Sequence, residues 1–211
     1  MKILYCSDLH GNYAALECLP EADMVLVGGD FTTFGSPEEF REAVGLFARR
    51  FPKFHAVAGN LDPGKTADQI LQECGHLLSL SPMRVEGVTL MGVGGSHQCP
   101  RPTPYEWNDQ ETETRLAAVQ VSQVDILVTH APPFGFGADV ISNGVHVGSH
   151  AIQRLAARLT PVLHLCGHIH EAAGVFDENG TVLVNPGAFG EEGHYALIDW
   201  KPAEAPSVQL H

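Results

Sequence analysis

Five short apolar runs in this chain each end on polar residues able to bind a metal, and that recurrence limits the folds open to it. Asp8 and His10 follow the first run, Asp30 the second, Asn60 the third, His130 the fourth, and His168 with His170 the fifth. Runs this short and this rich in Val, Ile and Leu read as strands covered on both faces. Open α/β sheets bind ligands in the loops beyond strand C-terminal ends, so five such loops can meet at one edge. Two carboxylates, one amide oxygen and four imidazoles would be costly to bury together alone, but can hold two divalent ions.

Strand-like runs alternate with amphipathic stretches, the pattern of a layered α/β domain. Residue types predict strands over Lys2–Cys6, Met24–Val27, 53–58, 84–91, 125–128, 162–165, 174–176, 181–184 and 195–199. Helices are expected over Pro37–Arg50, 111–121 and 149–159. The first of these puts Phe40, Val44 and Phe47 near one face, with Ser36 as N-cap and Pro37 in the first turn. A hairpin turn at 177–180 finishes the chain in antiparallel strands, and the tail from Lys201 adds an edge strand or frays. Two sheets packed face to face with helices outside are the expected outcome.

Composition narrows the function classes. With 211 residues and 44% hydrophobic content, one domain over residues 1–211 can bury a sizeable core. Cys6, Cys18, Cys74, Cys99 and Cys166 are odd in number and lack paired spacing, so they read as reduced thiols, mostly packed inside. The run from Met1 to Asp8 is too short for a signal-peptide core, and no later stretch is long and apolar enough for a bilayer. A cytoplasmic location without a membrane partner is expected. A formal charge of −13 argues against a large nucleic-acid partner, which needs many Lys and Arg. Two divalent ions against Asp8 and Asp30 would leave a local charge of about +2, enough to attract a small phosphate ester.

Each motif alone also has a plainer reading. Asp8 suits an N-cap for a helix starting near Asn12, Asp30 a turn after Gly29, and Asn60 a left-handed turn after Gly59. His130, before Ala131 and two prolines, fits a half-buried core histidine, and His168 with His170 fit one side of an extended segment. Their joint occurrence, in one order at strand ends, favours a shared site.

The series Asp8-Leu9-His10, Gly29-Asp30, Gly59-Asn60-Leu61-Asp62, Thr129-His130 and Gly167-His168-Ile169-His170 resembles the calcineurin-like metallophosphoesterase family over nearly the whole chain. Segment 92–106 further resembles its small prokaryotic phosphoesterases. The resemblance implies a four-layered α/β/β/α sandwich with two mixed sheets flanked by helices. It assigns one metal to Asp8, His10, Asp30 and His170, and a second to Asp30, Asn60, His130 and His168, with Asp30 as bridge. Such mixed nitrogen and oxygen donors suit Mn, Fe, Zn, Co or Ni. The implied reaction is hydrolysis of a phosphate ester by metal-activated hydroxide, with Asp30, Asn60 and His130 acting through the metals and the phosphate.

Leu61 departs from the pattern, because many members carry a histidine there that aids the phosphate or protonates the leaving oxygen. Its loss favours good leaving groups, or requires another group to fill the role, and points to a phosphodiester of a small molecule or nucleotide over a monoester. Asp62 is expected to orient a metal-ligand histidine, or else to cap a helix before Pro63. His146, His97 and Arg101 lie in long loops and are candidate substrate contacts, against a default of solvated surface. His55, His76, His150, His164 and His194 carry no expected role. A catalytically degenerate interaction scaffold and a nuclease are the alternatives, and a homo-oligomer stays open.

Overall fold

The structure is a computed structural model that describes residues 1–121, 123–201 and 204–211. In chain order it forms β1 (Lys2–Cys6), β2 (Met24–Val27), α1 (Pro37–Arg50), β3 (His55–Ala56), α2 (Lys65–Glu73), β4 (Met83–Val85), β5 (Val88–Val93), β6 (Ser96–His97) and β7 (Glu106–Trp107). There follow α3 (Asp109–Ala117), β8 (Ile126–Thr129), α4 (His150–Leu159), β9 (Leu163–Leu165), β10 (Gly174–Glu178), β11 (Thr181–Asn185), α5 (Phe189–Glu192), β12 (Ala196–Asp199) and β13 (Ser207–Leu210).

Two mixed sheets carry the fold. The five-stranded sheet runs β13-β12-β1-β2-β3 and the six-stranded sheet β10-β11-β9-β8-β5-β4. Within them β1, β2 and β3 are mutually parallel, as are β5, β8, β9 and β11. Side chains alternate along each strand, so Ile3 and Tyr5 of β1 pack between the sheets with Leu26, Leu90, Ile126, Val128 and Leu165. Leu4 and Cys6, on the opposite face, pack with Phe40, Val44 and Phe47 of α1. Ile152 and Leu155 of α4 join Met91 and Leu127 outside the second sheet, completing a four-layered α/β/β/α sandwich. Residues buried on both faces explain why these strands read as continuous apolar runs.

Helix α1 follows its sequence signals closely. Ser36 accepts from the Glu39 amide at 3.2 Å and Glu39 returns a bond to the Ser36 amide at 2.7 Å, a capping box worth about 1 kcal/mol.

Elsewhere the chain departs from expectation for local reasons. The single strand expected over 84–91 is a hairpin, because Glu86 and Gly87 both take left-handed φ (49° and 88°) and join Val85 to Val88. Helix α2, with Ala67, Ile70 and Leu71 buried, forms behind Pro63 and Gly64, and the short β6–β7 ribbon is an addition. The helix expected near Asn12 is a 3₁₀ turn over Ala14–Cys18, and Asn12 rather than Asp8 accepts from the Ala14 amide, at 3.2 Å. The tail does add an edge strand, β13 against β12, while residues 202 and 203 of that tail lie outside the described ones. Among the described residues no helix is long and apolar enough to cross a membrane.

Candidate metal centre

The parallel strands of both sheets end on the same side, and their loops converge there. Asp8 lies two residues beyond β1, and its amide donates to the Gly29 carbonyl after β2 at 3.0 Å. The His10 amide reaches the Asp30 carbonyl at 2.8 Å, and the Leu61 amide the Asp30 carboxylate at 2.8 Å. The second sheet is tied in by the His168 amide, 3.1 Å from Asp8 Oδ2, and by His130 Nδ1, 2.8 Å from the Gly28 carbonyl. A Cβ at Gly59 would collide with the Asp30 carboxylate, and one at Gly167 with that of Asp8. These glycines let the loops approach closely enough to share a site.

Asp8, His10, Asp30 and His168 all have left-handed φ, between 49° and 69°. Such a conformation costs a non-glycine residue roughly 1–3 kcal/mol and persists only where the surroundings over-determine it. Four of the seven candidate ligands are held this way.

Among the described residues two carboxylate and imidazole groups emerge. Asp8, His10 and His170 form one, and Asp8, Asp30 and His130 the other, with the donor atoms of each within 4.8 Å of one another. His10 Nε2 faces His170 Nε2 at 3.1 Å, and His170 Nε2 lies 3.3 Å from Asp8 Oδ1. Asp8 is the carboxylate common to both groups, where the resemblance implied Asp30. Asp30 Oδ2 sits 3.5 Å from His130 Nε2 within the second group.

His130 supplies a test of whether these residues fit a metal. Its Nδ1 is 2.8 Å from the Gly28 carbonyl, which can only accept, so Nδ1 carries the proton. Burial holds the ring below its ordinary pKa, and a neutral ring then presents a bare lone pair at Nε2. That lone pair faces Asn60 Oδ1 at 2.7 Å. Two acceptors in such proximity, beside a carboxylate, suit a cation between them.

Electrostatics fit the same reading. Burial pushes Asp30 well above the usual carboxylate range, with Asp62 and Asp8 adding to the shift. Burial also lowers His10, and takes His168 down to about 3 with help from His130. For Asp8, burial opposes ionisation, but the His170 hydrogen bond and the His130 and His170 imidazoles hold it well below its ordinary value. The Asp8 bond in turn raises His170. The cluster thus combines a carboxyl, Asp30, pressed to neutralise with imidazoles, His10, His130 and His168, kept neutral, and a divalent cation satisfies both.

Asp62 does something other than orient a histidine. Fully buried, it accepts from the amides of Gly59 (2.8 Å), Thr32 (2.9 Å) and Phe31 (3.3 Å), and from the Thr32 hydroxyl (2.9 Å). Burial lifts it to about 6 against the pull of those bonds. It ties the Asp30 loop to the Asn60 loop, rather than capping a helix.

The loop candidates fall apart from one another. Arg101 is exposed. His97 lies 6.1 Å, ring to ring, from Trp107 and is close enough to His168 to lower its pKa. His146 donates from Nδ1 to the Asp139 carboxylate at 2.7 Å, and Asp139 also takes the Gly135 and Gly148 amides, so this histidine helps close its own loop.

Sequence reasoning misses two neighbours of the candidate ligands. Thr33 Oγ1 contacts His10 Nδ1 at 3.2 Å, and Cys99 Sγ lies 3.9 Å from His168 Nε2. The thiols are less interior than their residue type implies: of the five free cysteines Cys6 and Cys166 are buried, Cys18 and Cys74 are exposed, and Cys99 is intermediate.

The family described as the Calcineurin-like phosphoesterase superfamily domain matches residues 1–201. The chain belongs to that family. Its class is therefore that of metal-dependent phosphoric ester hydrolases, and the convergent carboxylates and imidazoles are the expected equipment. An uncharacterized protein of Methanocaldococcus jannaschii is 32% identical over 193 residues, covering 88% of each chain. A protein of Arcobacter nitrofigilis named Probable glycerophosphodiester phosphodiesterase is 27% identical over 228 residues, covering 100% of this chain and 79% of its own length. Among solved structures, the Thermus thermophilus protein TT1561 superposes with a TM-score of 0.75 at 19% identity, covering 100% of this chain and 97% of that one. At that identity the likeness speaks for the calcineurin-like phosphoesterase fold alone.

Proposed function

We propose that this metallophosphoesterase works with two divalent ions and hydrolyses a small-molecule or nucleotide phosphodiester in preference to a monoester. The observation carrying the dinuclear part is the pair of donor groups joined through Asp8, with the His130 lone pair facing Asn60 Oδ1 at 2.7 Å. Asp8, His10 and His170 would hold one ion, and Asn60, His130 and His168 the other. Asp30, a member of the second donor group tied to the Leu61 amide, would add its carboxylate to that of Asp8 in holding the ions. When bound, ions of the Mn, Fe, Zn, Co or Ni type supply a Lewis acid for the phosphoryl oxygens and acidify a water for attack on phosphorus.

This chain's own residues set the rest. Asp62 fixes the Asp30 and Asn60 loops so that no reorganisation is needed as substrate arrives. Leu61, half-buried, has no proton to give a departing alkoxide, which favours the better leaving group of an activated diester. The phosphodiesterase in the name of the Arcobacter relative points the same way. His97, Arg101 and His146 remain substrate contacts under this proposal, with His97 the best placed because it neighbours His168.

The test is metal content followed by hydrolysis of bis(p-nitrophenyl) phosphate and p-nitrophenyl phosphate after reconstitution with Mn. Two ions per chain and faster diester turnover are expected. A protein that takes up metal yet cleaves neither ester would end the enzymatic reading, and faster monoester turnover would end the preference.

A further inference from the structure

A chain of buried polar side chains crosses the second sheet behind the ligand cluster. His164 on β9 is fully buried, with Nδ1 2.7 Å from Glu178 Oε2 and Nε2 3.0 Å from Thr129 Oγ1. Thr129 Oγ1 reaches the Ala131 carbonyl at 2.7 Å. Hydrogen counting fixes the direction of these bonds. A carbonyl only accepts, so the single hydroxyl proton of Thr129 goes to Ala131. Toward His164 that hydroxyl must then accept, and Nε2 carries a proton. One further proton is shared between Nδ1 and Glu178, whichever of them holds it.

The chain ends on both neighbours of His130. Thr129 and Ala131 flank it, and the Thr129 hydroxyl spans the turn from one to the other. The backbone of that turn is otherwise held by the His130 amide on the Val93 carbonyl and the Gly167 amide on the His130 carbonyl.

We propose that Glu178, His164 and Thr129 are positioning residues that set the His130 turn, and through it one of the two ion sites. The inference rests on the reading of His130 as a metal ligand. Packing alone gives a poor account of the pair. His164 sits in register between Leu127 and Leu183, both apolar, where an apolar side chain would fit the layer. Replacing a buried charged or polar pair by apolar residues is often neutral or stabilising, whereas Glu178 Oε1 is buried here with no hydrogen-bond partner. The pair therefore answers to something other than the core.

The test uses metal-free full-length protein, titrated with Mn against a fluorescent chelator, alongside its melting temperature. Thr129→Val keeps the shape and removes the hydroxyl, Thr129→Ser restores it, and the double variant His164→Leu/Glu178→Leu removes the support behind it. Thr129→Val and the double variant should bind one of the two ions ~10–100-fold more weakly, leaving the other unchanged. Thr129→Ser should bind both as the wild type does, and the metal-free double variant should melt no lower than wild type. Wild-type affinity for both ions in Thr129→Val, or a Thr129→Ser as weak as it, overturns the inference. If Thr129→Val does not fold, the double variant decides on the same criterion. A wild type that takes up two ions separates that failure from failure of the dinuclear reading, which a wild type with no second ion would overturn together with this inference.

Discussion

The five-stranded sheet delivers Asp8, His10, Asp30 and Asn60 to the cluster, whereas the six-stranded sheet delivers only imidazoles, His130, His168 and His170. The two halves are braced by unlike means. Oxygen donors are held by amides, with Asp62 gathering four hydrogen bonds between the Asp30 and Asn60 loops and Leu61 adding one to Asp30. The imidazole of His130 is held through its far nitrogen on a carbonyl, which leaves the near one bare. Burial is adverse to both halves in opposite senses, pushing Asp30 up and His130 and His168 down. The lesson is that neither half is a finished site. A divalent cation is the partner that the carboxylates of one half and the neutral His130 and His168 of the other can share.

The largest effect should come from breaking the point where the halves meet. Asp30→Asn removes the charge next to His130 Nε2 while keeping its size, and we expect metal uptake to fall and diester hydrolysis to drop to background. Unchanged metal content and turnover would mean that the two halves do not share Asp30. A smaller effect is expected from Asp62→Ala, which strikes only the oxygen half. Loss of the common acceptor for Gly59, Phe31 and Thr32 should weaken metal binding by ~10–100-fold, with partial recovery at high Mn. A variant with normal affinity but a lowered melting temperature would reduce Asp62 to a fold-stabilising residue.

The same division explains what can be read from sequence. Strands β1 and β2 have the bounds their residue types predict because burial on both faces leaves unbroken apolar runs, and each candidate ligand stands just beyond such a run. Proximity follows from one rule about parallel strand ends, without knowledge of the sheet order. What stays hidden is set by contacts distant in sequence. Nothing local to Asp62 says that it reaches the Phe31 and Thr32 amides, 31 and 30 residues away, rather than a histidine. Cys99 lies 69 residues from His168, and a lone cysteine in a long loop carries no signal of its neighbour. Asp8 joining both donor groups is likewise a property of loop packing. The 84–91 hairpin is legible in principle, since Glu86-Gly87 is a two-residue turn, but the apolar pattern on either side masks it.

The smallest expected effect sharpens the comparison by giving the oxygen half an imidazole beside Asn60, where it has Leu61. Leu61 lies between Asn60 and Asp62, with its amide on Asp30 and its carbonyl accepting from Phe34 at 3.0 Å, so the backbone is fixed independently of the side chain. Half-buried beside the cluster, the position can take a ring without opening the core. A well-tuned acid contributes ~10² to 10⁴ in rate, and an untuned graft far less, so Leu61→His should improve p-nitrophenyl phosphate turnover relative to the diester by about tenfold at most. The gain should be larger for alkyl monoesters, whose leaving oxygen needs the proton more. Equal acceleration of all esters would place the new ring on the phosphate instead, and no change in preference would detach position 61 from leaving-group chemistry.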